Sequence, residues 1–163
     1  MKTRTVTKTA AFTAVAILLG YVESLFPPIA AGVKLGLANT VVITVLYTQS
    51  VNQAWMVAIL KTILCAALFG SASSFVYSFY GALFSLLAMI LAKKSNLFSI
   101  IAVSSLGGVF HNMAQLLCAY FFIGKGVLYY IPVLFVSGAL CGILTGIAAK
   151  ILVKRGAELF GKE

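Results

Sequence analysis

Six apolar segments, separated by short stretches that contain prolines, glycines or charges, dominate this chain of 163 residues. Five of the six approach or exceed the roughly 17–25 residues that a helix needs to cross a bilayer. In hydrocarbon a chain must satisfy its own backbone hydrogen bonds, so only helices or closed barrels span it. Charged residues make up 9% of the chain, against about 25% in soluble domains. The sequence therefore predicts an all-α membrane protein.

We expect one integral membrane domain over residues 1–163, built as a bundle of six transmembrane helices. The first helix ends before Pro27, because proline cannot continue a helix. The second is too short to span unaided, so we expect it to be tilted, packed inside the bundle or joined to an ordered loop. The predicted helices cover residues 9–26, 34–47, 53–69, 75–92, 98–123 and 128–153.

The basic residues predict the orientation of the bundle. Loops on the cytoplasmic side of a membrane protein carry an excess of lysine and arginine. With six spans, three basic clusters fall on one side, which places both termini in the cytoplasm and the protein in the inner cell membrane. Since nine of the twelve basic residues lie in these clusters, the net charge of +9 does not indicate a nucleic-acid partner. The clusters are Lys2, Arg4 and Lys8; Lys93 and Lys94; and Lys150, Lys154, Arg155 and Lys162.

A smaller set of polar side chains interrupts the apolar helices. A lysine at the centre of a spanning helix costs about 2.5–3.5 kcal/mol on insertion scales, so such residues need a partner or a function. In the predicted topology the set lies in the outer half of the membrane. We therefore predict a substrate-binding cavity reached from outside, lined by Glu23, Lys34, Asn39, Lys61, Ser74, Tyr77, Tyr80, His111, Asn112 and Gln115.

The chemistry of this set suggests separate roles. Lys34 and Lys61 would neutralise an anionic group, and the two tyrosines would stack on a ring or line an apolar tail. The imidazole and the amides would orient polar atoms. The alternative is structural: Glu23 pairs with Lys61, the amides tie helices together, and Lys34 extends its ammonium to the membrane surface.

The segment "GVKLGLANT" (residues 32–40) is predicted to form part of the same binding site. Its glycines let the backbone bend, and Lys34 next to a helix N-terminus would favour an anion. A loop of this kind could also close over a ligand.

Several enzyme classes are excluded by what the sequence lacks. The chain has no aspartate and no GxxxxGK[ST] phosphate loop, so we do not expect it to hydrolyse ATP or to hold Mg²⁺ between acidic residues. One histidine and three scattered cysteines do not make a metal site. We expect a protein that is not catalytic by itself and carries no cofactor.

Small residues four apart occur in two helices. The first helix carries Ala10 and Ala14, and the last carries Gly138, Gly142 and Gly146. Such patterns let another helix approach closely. We interpret the glycine run as internal packing and leave the AxxxA pair open between packing and docking of a partner.

Three stretches carry a family resemblance: "GVKLGLAN", "LKTILCAALFGSASSFVYSFYGALFSLLAMIL" and "SSLGGVFHNMAQLLCAY". Together they resemble the bacterial Gx transporter family, also labelled heptaprenyl diphosphate synthase component I, over nearly the whole chain. That family is similar in size and topology to the S components of energy-coupling factor (ECF) transporters. These six-helix proteins capture a vitamin-like molecule from outside and dock on a transmembrane coupling protein and two ATPases. The resemblance implies that Ala10 and Ala14 form the docking face and that partner subunits hydrolyse ATP.

Three functional hypotheses remain open at this stage. The leading one is an S-component-like subunit that captures a small, anionic and partly apolar or aromatic metabolite, such as a flavin-, quinone- or isoprenoid-like molecule. The second is a non-catalytic membrane subunit associated with heptaprenyl diphosphate synthesis, since prenyl synthases need aspartate-rich Mg²⁺ sites. The third is a self-sufficient carrier with Glu23 or His111 as its proton-coupled group.

Overall fold

The computed structural model describes residues 3–25 and 36–160, with side chains up to residue 156. Within these ranges the chain forms six α-helices and one 3-10 helix, and no strand. The helices are α1 Thr3–Ser24, α2 Leu37–Thr48, α3 Val51–Phe69, α4 Ala72–Lys94, α5 Ile100–Ile123 and α6 Ile131–Phe160; the 3-10 helix Lys125–Tyr130 precedes α6. The predicted all-helical architecture with six helices is confirmed.

In the part of the chain that the structure describes, five elements are long and apolar enough to cross a bilayer. They are α1, α3, α4, α5 and the segment Lys125–Gly156, which joins the 3-10 helix to α6. The chain is therefore a multi-pass membrane protein. The cytoplasmic location of both termini stays a prediction, and so does the assignment of residues 1–163 to one domain.

Serine hydroxyls fix the start of three helices. Ser50, Ser71 and Ser99 each accept a hydrogen bond from the backbone N–H three residues later, at 3.2–3.3 Å. These bonds satisfy N–H groups that a helix leaves without an internal partner. Because Ser71 is the N-cap, α4 begins three residues before its predicted start.

The first helix begins before, and the last helix ends after, the apolar segment that predicted it. The first begins at Thr3, well before its predicted start at residue 9, and the last continues to Phe160 rather than residue 153. In the first turns of α1, threonine hydroxyls donate to carbonyls four residues earlier, as Thr7 does to Thr3. The hydrophobic pattern marks the part of a helix that suits lipid, whereas the hydrogen-bonded helix can continue into the polar interface.

The short helix α2 lies inside the bundle. It has 12 residues, and those from Thr40 to Leu46 are all buried, as is Ala38. It packs against α1, α3 and α6. Of the three options that its length left open, packing inside the bundle is the one observed.

The end of α2 is held by a lysine from α4. The Lys93 ammonium donates a hydrogen bond to the carbonyl oxygen of Leu46 at 2.6 Å and lies 4.8 Å from the centre of the Tyr47 ring. The Leu46 carbonyl is among the last four of α2, which a helix leaves without internal partners. Lys93 therefore caps a helix that is otherwise buried.

We expect Lys93→Met to lower the free energy of unfolding by about 1–3 kcal/mol, the range for losing a hydrogen bond from a charged donor. Lys94→Met is the matched control, because Lys94 is the exposed next residue and carries the same charge in the same last turn of α4. Unfolding of both variants in detergent micelles would be followed by circular dichroism. Equal losses in the two variants would contradict the capping role.

Helices α5 and α6 approach each other through glycine. A Cβ atom on Gly142 would lie 2.6 Å from the Ser104 carbonyl oxygen, and one on Gly146 would lie 2.9 Å from the Cα of Ile101. The Ser104 and Thr145 hydroxyls are 3.0 Å apart across the same contact. The interpretation of the GxxxGxxxG run as internal packing is confirmed.

The AxxxA pair of α1 lies on the outer surface of the bundle. Ala10 and Ala14 are exposed, whereas Thr9, Thr13 and Ala16 turn into the bundle. Ala10 and Ala14 are thus open to lipid or to another helix. Docking of a partner on this face stays a prediction.

Candidate functional site

A cavity of about 160 Å³ lies inside the bundle, and all six α-helices contribute to its wall. Among the residues that the structure describes, Phe69 and Met89 are the large apolar side chains of this wall. Most of the remaining wall is polar or small. Its polar side chains are Glu23, Ser24, Asn39, Lys61, Thr62, Ser74, Ser78, Ser85, Ser104, His111, Asn112, Gln115 and Thr145.

Lys61 brings a buried positive charge to this wall. It lies on the inward face of α3, beside Val57 and Ala58, and only 8% of its surface is exposed. Its ammonium donates a hydrogen bond to the side-chain oxygen of Asn39 at 2.6 Å. Asn39 is in the first turn of α2, so this bond joins α3 to the buried helix.

Glu23 brings a negative charge from the last turn of α1. Its carboxylate accepts a hydrogen bond from the backbone N–H of Gly36, directly before α2. Gly36 has φ of 75°, a left-handed conformation that favours glycine. Glu23 and Lys61 therefore have different hydrogen-bond partners at the start of α2.

A histidine and a glutamine form the next part of the wall. The His111 Nε2 and Gln115 Nε2 atoms are 3.2 Å apart on successive turns of α5. Gly81 of α4 makes room for the imidazole, since a Cβ atom there would lie 2.8 Å from its Cε1. The ring is therefore held between α4 and α5 at the edge of the cavity.

Asn112 lines the cavity and also forms hydrogen bonds to α6. Its amide nitrogen donates to the Leu134 carbonyl oxygen at 2.9 Å and contacts the Ser137 hydroxyl oxygen at 3.3 Å. These bonds tie α5 to α6, as the structural alternative for the amides expected. Whether Asn112 also contacts a ligand stays a prediction.

The two tyrosines lie away from the cavity wall. Tyr77 packs edge-on against Phe122, with ring centres 6.2 Å apart, and Tyr80 is 43% exposed on the outside of α4. Lys34 falls outside the described residues. The structure thus brings together, around one cavity, the predicted site residues Glu23, Asn39, Lys61, Ser74, His111, Asn112 and Gln115.

Sequence reasoning missed most of the hydroxyl groups in the wall. It selected residues by their cost in lipid, and serine or threonine costs little there because the hydroxyl can bond to its own helix. Thr62 does so with the Ala58 carbonyl at 2.8 Å. The available signal was spacing on α4, where Ser74, Ser78 and Ser85 are four and seven residues apart and share one face. The missed hydroxyls are those of Ser24, Thr62, Ser78, Ser85, Ser104 and Thr145.

The donor set of the cavity suits a small polar molecule. Within residues 3–25 and 36–160, no group of three or more histidine, cysteine or acidic residues is arranged as metal ligands would be. The wall instead offers an ammonium, a carboxylate, an imidazole, amides and hydroxyls. A few convergent polar groups of this kind orient a ligand and give it specificity.

Comparison with known proteins gives one match. A protein-family model described as heptaprenyl diphosphate synthase component I matches residues 12–152, a segment that contains every residue of the cavity wall. No curated protein and no solved structure matches the chain. The likeness to S components stays a prediction.

Proposed function

The chain belongs to the family described as heptaprenyl diphosphate synthase component I, and from this premise we propose that it is the substrate-binding subunit of an ECF-type importer. In this role it lies in the inner cell membrane with both termini in the cytoplasm. It captures a small metabolite with an anionic group from outside the cell. The cavity between its helices holds that metabolite.

The single observation that carries the proposal is the buried ammonium of Lys61 in the cavity wall. Burying a charge in a membrane protein is costly, and charged residues in spanning helices commonly mark a substrate path. Lys61 has Asn39 as its partner at 2.6 Å, and an ammonium has three N–H donors. The arrangement therefore suits an anionic ligand group that accepts a hydrogen bond from a second N–H of the Lys61 ammonium.

Transport energy comes from partner subunits in this proposal, since no ATP-binding phosphate loop occurs in the sequence. The exposed Ala10 and Ala14 supply the surface on which a transmembrane coupling protein docks. Small residues allow the close helix approach that such docking needs.

We expect Ala14→Trp to release the coupling protein and its ATPases from the purified complex, because a bulky side chain blocks that approach. Val15→Trp is the control, since Val15 is also exposed on α1 but points about 100° away from Ala14. Quantitative mass spectrometry of the purified complexes would measure the partner yield. Loss of partners in both variants, or in neither, would contradict docking through Ala10 and Ala14.

A second candidate is favoured by the family description itself. In this alternative the chain is a non-catalytic membrane subunit of heptaprenyl diphosphate synthesis. It would bind a soluble synthase, because the chain has no aspartate with which to bind Mg²⁺ diphosphate. A self-sufficient carrier that uses Glu23 or His111 for protons is the third.

The test is gentle purification followed by native mass spectrometry, with extraction of the bound small molecule. We expect an anionic metabolite in stoichiometric amount and a pair of ATPases among the partners. An empty protein that carries a prenyl synthase would support the second candidate. Uptake into proteoliposomes without partners, driven by a pH gradient, would support the third.

A further inference from the structure

The cavity carries one charge of each sign, and these two charges are separated by the first turn of α2. Lys61 is bonded to Asn39, and Glu23 is bonded to the Gly36 backbone N–H. Gly36 and Asn39 are themselves linked, since the Asn39 N–H donates to the Gly36 carbonyl at 2.8 Å. Within the described part of the wall, the lysine and glutamate charges cancel.

We propose that the occupant of this cavity is a compact zwitterion, with one anionic group, one cationic group and about six to ten non-hydrogen atoms. Its anionic group binds the Lys61 ammonium, and its cationic group binds the Glu23 carboxylate. The inference rests on the proposed binding function and specifies its substrate class.

The size of the cavity supports a compact ligand. Its volume is about 160 Å³, close to that of an engineered protein cavity of about 150 Å³ that holds benzene. Sites for drug-sized ligands measure about 300–1,000 Å³. The cavity is partly open, so it holds a compact ligand whole but only the head group of a flavin, a quinone or a prenyl compound.

The wall of the cavity offers few large side chains for contact with a ring or a long apolar tail. Its large apolar side chains among the described residues are Phe69 and Met89. Tyr77 and Tyr80, which would have provided a stacking surface, lie outside the wall. The wall exposes polar and apolar surface in similar amounts, so it suits a compact ligand with charged ends and a short apolar middle.

The glutamate distinguishes a zwitterion from a simple anion. A ligand with only negative charge gains from Lys61 but is repelled by Glu23 in the same small, poorly screened cavity. A cationic group on the ligand turns that repulsion into attraction. The effect of removing the charge of Glu23 therefore has opposite signs for the two ligand classes.

The probes are the protein-forming amino acids and 4-aminobutyrate, each compared with the acid that lacks its amino group and the amine that lacks its carboxylate. Dimethylallyl diphosphate and inorganic pyrophosphate represent prenyl and polyanionic ligands. Binding to the full-length protein in detergent would be measured by thermal shift and calorimetry. The same measurements on Glu23→Gln follow, a variant whose amide oxygen still accepts from the Gly36 N–H.

We expect at least one zwitterion to bind at least tenfold more tightly than its single-charge counterparts, and Glu23→Gln to weaken that binding at least tenfold. Binding of a diphosphate but of no zwitterion, unchanged or tighter binding in Glu23→Gln, or no response to any probe would overturn the inference. A different result would contradict the proposed function itself: a protein that purifies without any small molecule and with a synthase as its partner. A co-purified flavin, quinone or prenyl compound would overturn the zwitterion and leave the binding function intact.

Discussion

Lys61→Met is expected to remove most ligand binding and to leave the helix bundle folded. The ammonium is the one strong cationic donor that the described residues bring to the cavity wall. A hydrogen bond to a charged group contributes about 1.5–3 kcal/mol, so the affinity should fall about 10- to 100-fold. Folding should survive, because methionine fills a similar volume and removes the cost of a charge in hydrocarbon.

The matched control for this change is Lys150→Met. Lys150 is also within a spanning helix but is exposed on α6, so its loss should leave affinity unchanged. The metabolite retained after purification would be quantified by mass spectrometry, and folding would be checked by thermal unfolding in detergent. Full retention of the metabolite by the Lys61 variant would remove Lys61 from the site. Loss in the Lys150 variant as well would point to a general effect of lost charge.

The architecture could be predicted because the relevant signals are local. The lengths of the apolar segments, and the prolines, glycines and charges between them, predict where the helices lie, and these signals depend on neighbouring residues. The predicted helix ends were less accurate, because hydropathy marks only the lipid-facing part of a helix. The start of α1 at Thr3 and the end of α6 at Phe160 are examples. The burial of α2 was only one of three predicted options. A helix of 12 residues is too short to cross the bilayer, but its length does not determine where it packs.

The site could be predicted only in part, because sequence does not fix the rotation of a helix. On α4 both the serines and the tyrosines are polar, so spacing alone allowed either face to point inward. In the structure Ser74 and Ser78 line the cavity, and Gly81 on the same stripe receives His111. The face with small residues lets α5 approach, so Tyr77 packs against Phe122 of α5 and Tyr80 is exposed, both outside the cavity wall.

The charged residues gave a stronger signal than the hydroxyls. Lys61 and Glu23 are costly in lipid wherever they occur, so their position in the sequence indicated an interior site without knowledge of the packing. Ser104 and Thr145 carry no such cost. They form part of the wall because α5 and α6 meet through glycine, a contact between residues distant in sequence.

Gly108→Ala is expected to destabilise the protein by about 1–3 kcal/mol, the typical cost of overpacking. A Cβ atom on Gly108 would clash with the Gly138 carbonyl oxygen and lie 3.2 Å from the Cα of Gly142. These are backbone atoms, which cannot rotate away as a side chain does. The gain of about 0.5–1 kcal/mol from alanine in a helix is smaller than this cost.

Gly156→Ala provides the same chemical change without the contact. It lies in α6, and a Cβ atom there would meet nothing within 4 Å, so we expect unchanged or slightly higher stability. Titration with a denaturing detergent would compare the two variants. Similar stability in both would mean that α5 and α6 can separate at little cost.

The contact between α5 and α6 is expected to affect ligand affinity as well as the stability of the protein. Gly108, Gly138 and Gly142 border the cavity, and the Asn112 amide bridges the same two helices. Moving the helices apart in Gly108→Ala displaces Asn112 and the Ser104–Thr145 pair without altering any polar residue. Ligand affinity should therefore fall in Gly108→Ala and stay unchanged in Gly156→Ala. Destabilisation with normal affinity would show that binding depends on the lysine side of the cavity and not on the wall formed by α5 and α6.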